Sequence, residues 1–305
     1  MLSLDDLRFF SAVAGAKSLA ATARALDVTP PAVSQRLAGL ERKMGVRLIE
    51  RQRNGVQLTE EGDLVAARAR ALLQDLDDLE SEVAARRDEL SGPLRVAAPL
   101  GFGRRYLGPL IARFHEAHPA VNIDLSLSDR PPDPNARVDI AVHIGELRES
   151  SAILVKLAPN ERIICASPDY LARAGTPADA GELNRFDCLA LRENDEDSTL
   201  WRFTHGEEHL SVRVRPRLAS NDGEIIREWA LEGRGIMIRS EWHVADDLRA
   251  GRLVQMLHDF KPPTANVVAL LGPSRARLAR TQRFLDHLKG ELNPAPWRAA
   301  ARSRA

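Results

Sequence analysis

The chain has 305 residues, with 43 basic and 43 acidic side chains, 8 histidines, 2 cysteines and an ordinary hydrophobic share of 44%. That length supplies two or three domains with real cores, and two cysteines exclude a disulfide framework and point to a reducing compartment. A formal charge of zero argues against a polyanionic partner only if the charge is evenly spread, and it is not: residues 1–60 hold nine Lys/Arg against six Asp/Glu, residues 61–90 hold four against nine, and the rest is near balance. Charge sorted in this way fits a basic nucleic-acid-binding head, an acidic neck and a separate body. The N-terminus carries acids where a secretory signal carries bases, and no apolar run approaches the roughly 18 residues a membrane span needs, so a soluble, cytoplasmic chain with no membrane partner is expected.

Ser3, followed by Asp6, predicts a capped first helix with Leu4, Leu7, Phe10 and Val13 on one face. Ser18 opens a short helix of small residues through Leu26, Asp27-Val28 makes a turn, and Thr29 caps a third helix whose first turn holds Pro30 and Pro31. Val33, Leu37, Leu40 and Met44 form its buried stripe, with Gly45 as the left-handed cap. This is helix-turn-helix spacing. Its exposed start, Pro30, Pro31, Ser34, Gln35 and Arg36, is placed to meet double-stranded DNA in a major groove, with Ser18 and Thr29 at the neighbouring caps. Gln35 has the amide fork for adenine, Ser34 serves a phosphate or a base, and Arg36 a guanine or a phosphate. Residues 47–58 read as two strands around Asn54-Gly55, a wing carrying Arg51 and Arg53 toward the backbone. The rival reading of the whole head is an Ala-rich helical hairpin with solvated arginines.

Thr59 caps a long neck helix in which Val65, Ala69, Leu72, Leu76, Leu79 and Val83 recur at alternating intervals of four and three, a heptad seam opposite a charged face. A second copy of the same helix is its simplest cover, with packing on the chain's own body as the alternative. Ser91-Gly92-Pro93 ends the neck.

The body alternates strands near 94–99, 121–127, 139–144, 161–167, 235–238, 252–257 and 266–271 with helices near 103–117, 168–174, 222–233, 240–249 and 275–289, which predicts α/β layers with parallel sheets. The Ala-rich residues after Pro294 read as a flexible tail. Catalytic signals are weak. Gly101 and Gly103 lack the third glycine of a dinucleotide fingerprint, and no phosphate loop, HExxH or paired-cysteine motif appears, so no cofactor, metal or enzyme activity is expected. Ligands in open α/β sheets lie beyond the carboxyl ends of strands, which selects Leu100, Gly101 and Phe102 at a helix start, Ser126, Ser128, His143 to Gly145, and Asn221-Asp222. Trp201 joins them as an apolar wall or as plain core. These segments converge only if they share one cleft.

The runs Ser18 to Leu26, Val28 to Leu37, Leu40-Glu41, Gly45 to Arg51 and Leu58 to Gly62 resemble the winged head of LysR-type transcriptional regulators. Ala97-Ala98-Pro99, Phe102-Gly103-Arg104, Asp139 to Val142, Cys165 to Leu171 and Asn221-Asp222 extend the resemblance to about residue 290. It implies a winged helix-turn-helix at 1–58, a dimerising linker helix at 59–90, a two-lobed effector domain similar to periplasmic binding proteins at 91–290 and a flexible tail at 291–305, commonly assembled as a dimer of dimers. It places a small-molecule effector between the lobes. Departures from the pattern, namely Leu100-Gly101-Phe102 at a helix start that is often polar, His143 where arginine is frequent, and the prolines of Arg130 to Asn135, point to a remodelled cleft. A bilobal receptor with an incidental head and an α/β enzyme using His143 or Asp222 are the rivals from other classes.

Overall fold

Ser3 starts the first helix as a reciprocal cap. Its hydroxyl accepts from the Asp6 N–H at 3.1 Å and the Asp6 carboxylate accepts from the Ser3 N–H at 3.1 Å, opening α1 (Leu4–Ala14). The computed structural model describes residues 2–52, 55–85, 90–129, 138–145, 152–193, 197–272, 276 and 278–298. They divide into two units, residues 1–87 and 88–305.

In the first unit Ser18 caps α2 (Leu19–Ala25) by accepting from the Ala21 N–H at 3.1 Å. Asp27, at φ 52, turns the chain toward α3 (Pro30–Met44), which ends at Gly45 with φ 72. Thr29 precedes α3 but makes no side-chain cap bond, because Pro31 has no N–H and the Ala32 N–H donates to the Thr29 carbonyl at 3.0 Å instead. The wing is the antiparallel pair β1 (Ile49–Gln52) and β2 (Gly55–Leu58), tethered to α3 by Glu41 Oε1, which accepts from the Leu48 N–H at 2.9 Å. Arg53 and Asn54 lie outside the described residues. Thr59 Oγ1 accepts from the Gly62 N–H at 3.0 Å and caps α4 (Glu60–Ala85).

Phe9, Phe10, Val13, Ala23, Val33, Leu37, Leu40 and Leu48 make the core of this unit, and Ala66 of α4 belongs to it. This revises the reading of α4 as one continuous seam for a second copy. Val65 packs on the head core and Ala69 is fully buried, whereas Leu72, Leu79 and Val83 are more than half exposed at 52%, 58% and 54%.

The second unit has two lobes. Lobe 1 begins with β3 (Gly92–Pro99), α5 (Leu100–Phe102), a π-helical turn at Gly103–Leu107, α6 (Gly108–Ala117), β4 (Val121–Ser128), β5 (Ile140–Ile144) and β6 (Ile153–Ala158). Lobe 2 follows with β7 (Arg162–Ala166), α7 (Pro168–Ala174), a 3-10 turn at Ala180–Arg185, β8 (Cys188–Leu191), β9 (Leu200–His205), β10 (Glu208–Arg213) and β11 (Leu218–Ser220). It closes with α8 (Gly223–Leu231), β12 (Ile236–Ser240), α9 (Glu241–Arg249) and β13 (Val254–Gln255), and the chain returns to lobe 1 as β14 (Val267–Leu271) and α10 (Ala279–Leu292).

Both sheets are mixed rather than parallel. In lobe 1, ordered β4-β3-β5-β14-β6, the strands β4, β3 and β5 are parallel, but β14 runs antiparallel to β5 and β6. The reason is topological: β6 leaves for lobe 2 and β14 is the return, so lobe 2 acts as the loop of a long hairpin. Lobe 2, ordered β11-β8-β12-β7-β13, sets β7 antiparallel to both its neighbours. Val96, Phe102, Leu107, Ile140, Ala269 and Phe284 centre the core of lobe 1. Cys165 and Cys188 are free and buried in the sheet of lobe 2, where burial pushes both thiols up to about 12, so they act as small apolar residues.

The segment after α10 is not a flexible tail as far as residue 298. Ala295 and Trp297 are buried, the Trp297 ring packs on Tyr106 at 5.3 Å, and Arg298 pairs with Glu241 at 2.8 Å and Glu161 at 3.0 Å. Residues 299–305 lie outside the described residues.

Candidate functional site

On α3 the buried stripe of Val33, Leu37 and Leu40 fixes what remains outside. Pro30, Pro31, Gln35, Ala38 and Arg42 are exposed and Ser34 is half-buried, so Pro31, Ser34, Gln35 and Ala38 form one free face near the helix start. Arg36, also exposed, has partners within the head as well. It flanks the buried stripe on the side of α1, and its guanidinium donates to the Asp5 carbonyl at 3.0 Å and lies 4.6 Å over the Phe9 ring. Ser18 and Thr29 stand at the starts of α2 and α3, and Arg51 lies on β1.

In the second unit Phe102 is fully buried, packed on Tyr106 at 5.1 Å and Trp242 at 5.3 Å, and so belongs to the core of lobe 1 rather than to an open cleft. Gly101 lies under the Trp242 ring, which would sit 3.1 Å from a Cβ at that position. Leu100 is half-buried beside it. Ser126 and Ser128 are exposed on the edge strand β4, His143 is buried in β5, and Gly145 follows at φ 129. Trp201 is buried with Phe203 and Tyr170 in lobe 2 and also lines a cavity of about 100 Å³.

Asn221 and Asp222 meet lobe 1 directly. Asn221 Nδ2 donates to Asp129 Oδ2 at 2.6 Å and Arg104 Nη2 donates to Asp222 Oδ2 at 3.3 Å, while Asp222 also caps α8 by accepting from the Glu224 N–H at 2.8 Å. Arg105 adds a bond to the His243 carbonyl at 3.2 Å and an ion pair with Asp246. The lobes are therefore latched by polar contacts beside the residues chosen from sequence. Asp129, Arg105, Trp242 and Asp246 were missed, since nothing in their local spacing marks partners more than 90 residues away. Behind Asp222, a network runs from buried Arg239 through buried His243 to the partly exposed Glu224, and Arg227 bonds both Glu224 at 2.6 Å and Asp247 at 2.9 Å. Burial lowers His243 to about 4, and Glu224 falls to about 2, chiefly through its bond to His243. Among the described residues no group of three His, Cys, Asp or Glu side chains could hold a metal ion, and no helix is long and apolar enough to cross a membrane.

Residues 4–63 match the bacterial regulatory helix-turn-helix proteins of the lysR family, and residues 87–293 match the LysR substrate binding domain. The chain belongs to the LysR family of transcriptional regulators. This LysR-type chain is 35% identical over 287 residues to the HTH-type transcriptional regulator DmlR of Escherichia coli K12, covering 94% of the chain and 93% of that relative. It is 35% identical over 266 residues to the transcriptional activator TtdR of the same organism, covering 87% and 86%. Among solved structures, CrgA from Neisseria meningitidis is similar at 30% identity and a TM-score of 0.60, over 96% of this chain and 99% of that one. The full-length virulence activator AphB of Vibrio cholerae is similar at 26% identity and a TM-score of 0.60, over 95% and 99%. The LysR-type chain is thus a DNA-binding transcriptional regulator with an effector-binding domain, and not an enzyme.

Proposed function

We propose that this LysR-type regulator acts in the cytoplasm as an oligomer joined through α4, and that it reads its operator with the start of α3. Pro30, Pro31, Ser34 and Gln35 enter the major groove, Gln35 presenting its amide to a base edge, while Arg51 and Arg53 of the wing lie along the phosphates. Arg36 serves this reading indirectly by holding α3 on α1. The observation that carries it is the single free face of Pro31, Ser34 and Gln35 above a fully buried stripe.

In the second unit the effector occupies the space beside Leu100, Ser126, Ser128, His143, Gly145, Asn221 and Asp222. Binding there exchanges the bonds of Asp129 with Asn221 and of Arg104 with Asp222 for bonds to the ligand, which biases the lobes between two arrangements. The two-lobed binding module as a whole function, with an incidental head, is disfavoured because the head supplies a complete core and an exposed recognition face.

The test is binding of the full-length protein to its own promoter-region DNA against random DNA at physiological salt. A preference is expected, and Gln35→Ala should reduce it by about 1–3 kcal/mol while leaving the non-specific, salt-dependent part in place. No preference in the wild-type protein would overturn the reading.

A further inference from the structure

Beside the chain that returns from lobe 2 to lobe 1 lies a groove that the interlobe residues above do not line, Trp201 excepted. Between β7 and residues 255–264 it opens a cavity of about 280 Å³ walled by Ile164, Met256, Leu257 and Phe260. The smaller cavity under Trp201 adjoins it, with Arg162 and Pro262 lining both.

Arg162 stands at the junction. Its side chain is only 17% exposed, its nearest acid, Glu193, is 3.9 Å away, and it hydrogen-bonds to none of the described residues. A guanidinium has five N–H donors in a planar fork, and those of Arg162 keep some contact with water at the groove, where a ligand can reach them. The other acids of the groove have cations of their own: Glu161 pairs with Arg298 at 3.0 Å and Asp197 with Arg213 at 3.2 Å. Glu193 also has a second claimant. Burial lowers the pKa of Arg239, Glu193 opposes that shift and the charge of Arg162 adds to it, so one carboxylate faces two guanidiniums. Arg202 and Lys261, at the rim, pair with none of the described acids. Among the described residues the groove is therefore short of negative charge.

Its apolar wall is held in place. Leu257 adopts φ 52, a conformation a branched side chain keeps only where its surroundings fix it. Here the Phe260 N–H donates to the Leu257 carbonyl at 2.9 Å and the Met256 N–H to the Ile164 carbonyl at 3.0 Å. The Phe260 ring is stacked on His205 at 4.6 Å.

We propose that this groove is a second ligand site, for a small organic acid whose carboxylate takes the Arg162 fork and whose branched or aromatic body lies against Ile164, Met256 and Phe260. A neutral apolar molecule would leave Arg162 without acceptors, and a bare inorganic anion would leave the apolar wall wet. The site adjoins the joint between the lobes, because the returning chain continues to Ala265, whose carbonyl accepts from Asn160 Nδ2 at 2.7 Å. The proposal does not depend on the interlobe reading.

The experiment is calorimetric titration of the full-length protein with benzoate and with 3-methylbutanoate, each against its neutral amide. At least one acid should bind, its amide about tenfold more weakly or not at all, since only the acid satisfies the guanidinium. Arg162→Gln should weaken the acid about tenfold and Arg162→Lys by less, because a lysine keeps the charge but loses the fork. Thr264→Trp, an exposed rim position, should block the larger cavity without touching the core, and it carries the test if the Arg162 variants fold poorly. Asn221→Ala, in the interlobe latch, should leave the titration unchanged. Failure of both acids to bind, equal binding of the amides, or wild-type affinity in both Arg162→Gln and Thr264→Trp overturns the site. Loss in Asn221→Ala alone would move the ligand to the interlobe space and overturn this groove while sparing the reading of the latch.

Discussion

Lys43 Nζ donates to Asp6 Oδ2 at 2.9 Å, and the same carboxylate oxygen closes the cap of α1 by accepting from the Ser3 N–H at 3.1 Å. One acid thus holds the last turn of α3 against the first turn of α1 and fixes the angle at which the recognition face is presented. The hydrogen bond from Lys43, then that from Ser3, keep the Asp6 carboxyl below its usual range. A depressed carboxyl pKa contributes stability above the ordinary value of about 4 that is lost as the pH falls through the folded one. Asp6→Ala should cost about 1 kcal/mol, through the cap more than the exposed ion pair, and Lys43→Met less. Hydrogen exchange of the α1 amides in the full chain reads both, and equal exchange in Asp6→Ala and wild type would contradict the account.

Gly62 is set by a close approach. A Cβ there would fall 2.0 Å from the Leu48 carbonyl oxygen, whereas one on Gly39, in α3, meets nothing within 4 Å. Backbone cannot swing aside as a side-chain tip can, so Gly62→Ala should destabilise the head by about 1–3 kcal/mol. Gly39→Ala should instead stabilise it by up to about 1 kcal/mol by removing backbone freedom from a helix interior. Melting temperatures that move in the same direction for both substitutions would refute this contrast.

What could be read from the residues alone was what is decided locally. The caps at Ser3 and Ser18, the stop at Gly45 and the periodic stripe of α3 depend on a few neighbours, and each formed as expected. The contact of Arg36 with Phe9 was not legible because the two become neighbours only once α1 crosses α3. The sense of β14 was hidden because it follows from where lobe 2 is inserted, and Trp297 was overlooked because one aromatic in an Ala- and Arg-rich segment has no periodicity to betray its burial. The hairpin of β9 and β10 alternates buried Trp201 and Phe203 with polar residues over a span too short to stand out. The pairing of Asn221 with Asp129 joins residues of two lobes and has no local signal at all.

The α4 seam is divided between two tasks, and substitutions should separate them. Ala69 is fully buried in the head unit while Leu72 and Leu79 are 52% and 58% exposed. Leu72→Asp with Leu79→Asp should leave the melting of the head unchanged, shift the protein to a smaller species in sedimentation, and weaken binding to a two-fold operator by about tenfold or more through lost avidity. Ala69→Asp should instead unfold the head, since it places a charge with no partner in a closed core. An unaltered mass in the double variant would remove α4 as the interface.

The network behind Asp222 should make the second unit sensitive to acid. Arg239 donates to His243 Nδ1 from Nε at 3.2 Å and Nη2 at 2.9 Å, and a guanidinium accepts nothing, so Nδ1 keeps its lone pair and Nε2–H donates to Glu224 Oε2 at 2.8 Å. Burial is the main cause that lowers His243 from its ordinary 6.5 to about 4, with the charge of Arg239 in support and the bond to Glu224 opposed. The unfolded chain therefore takes up a proton between those values that the fold refuses. Stability from this group is complete above pH 6.5 and drains away toward pH 4, by of order 3 kcal/mol at most. Glu224, lowered from 4.5 to about 2, adds its own loss only as the pH falls below 4.5. In His243→Gln only the burial-lowered His118 still contributes in the upper window, so urea unfolding at pH 7 and pH 5 should show a clearly smaller loss of stability than in the wild type; an undiminished slope in the variant would place the acid sensitivity elsewhere.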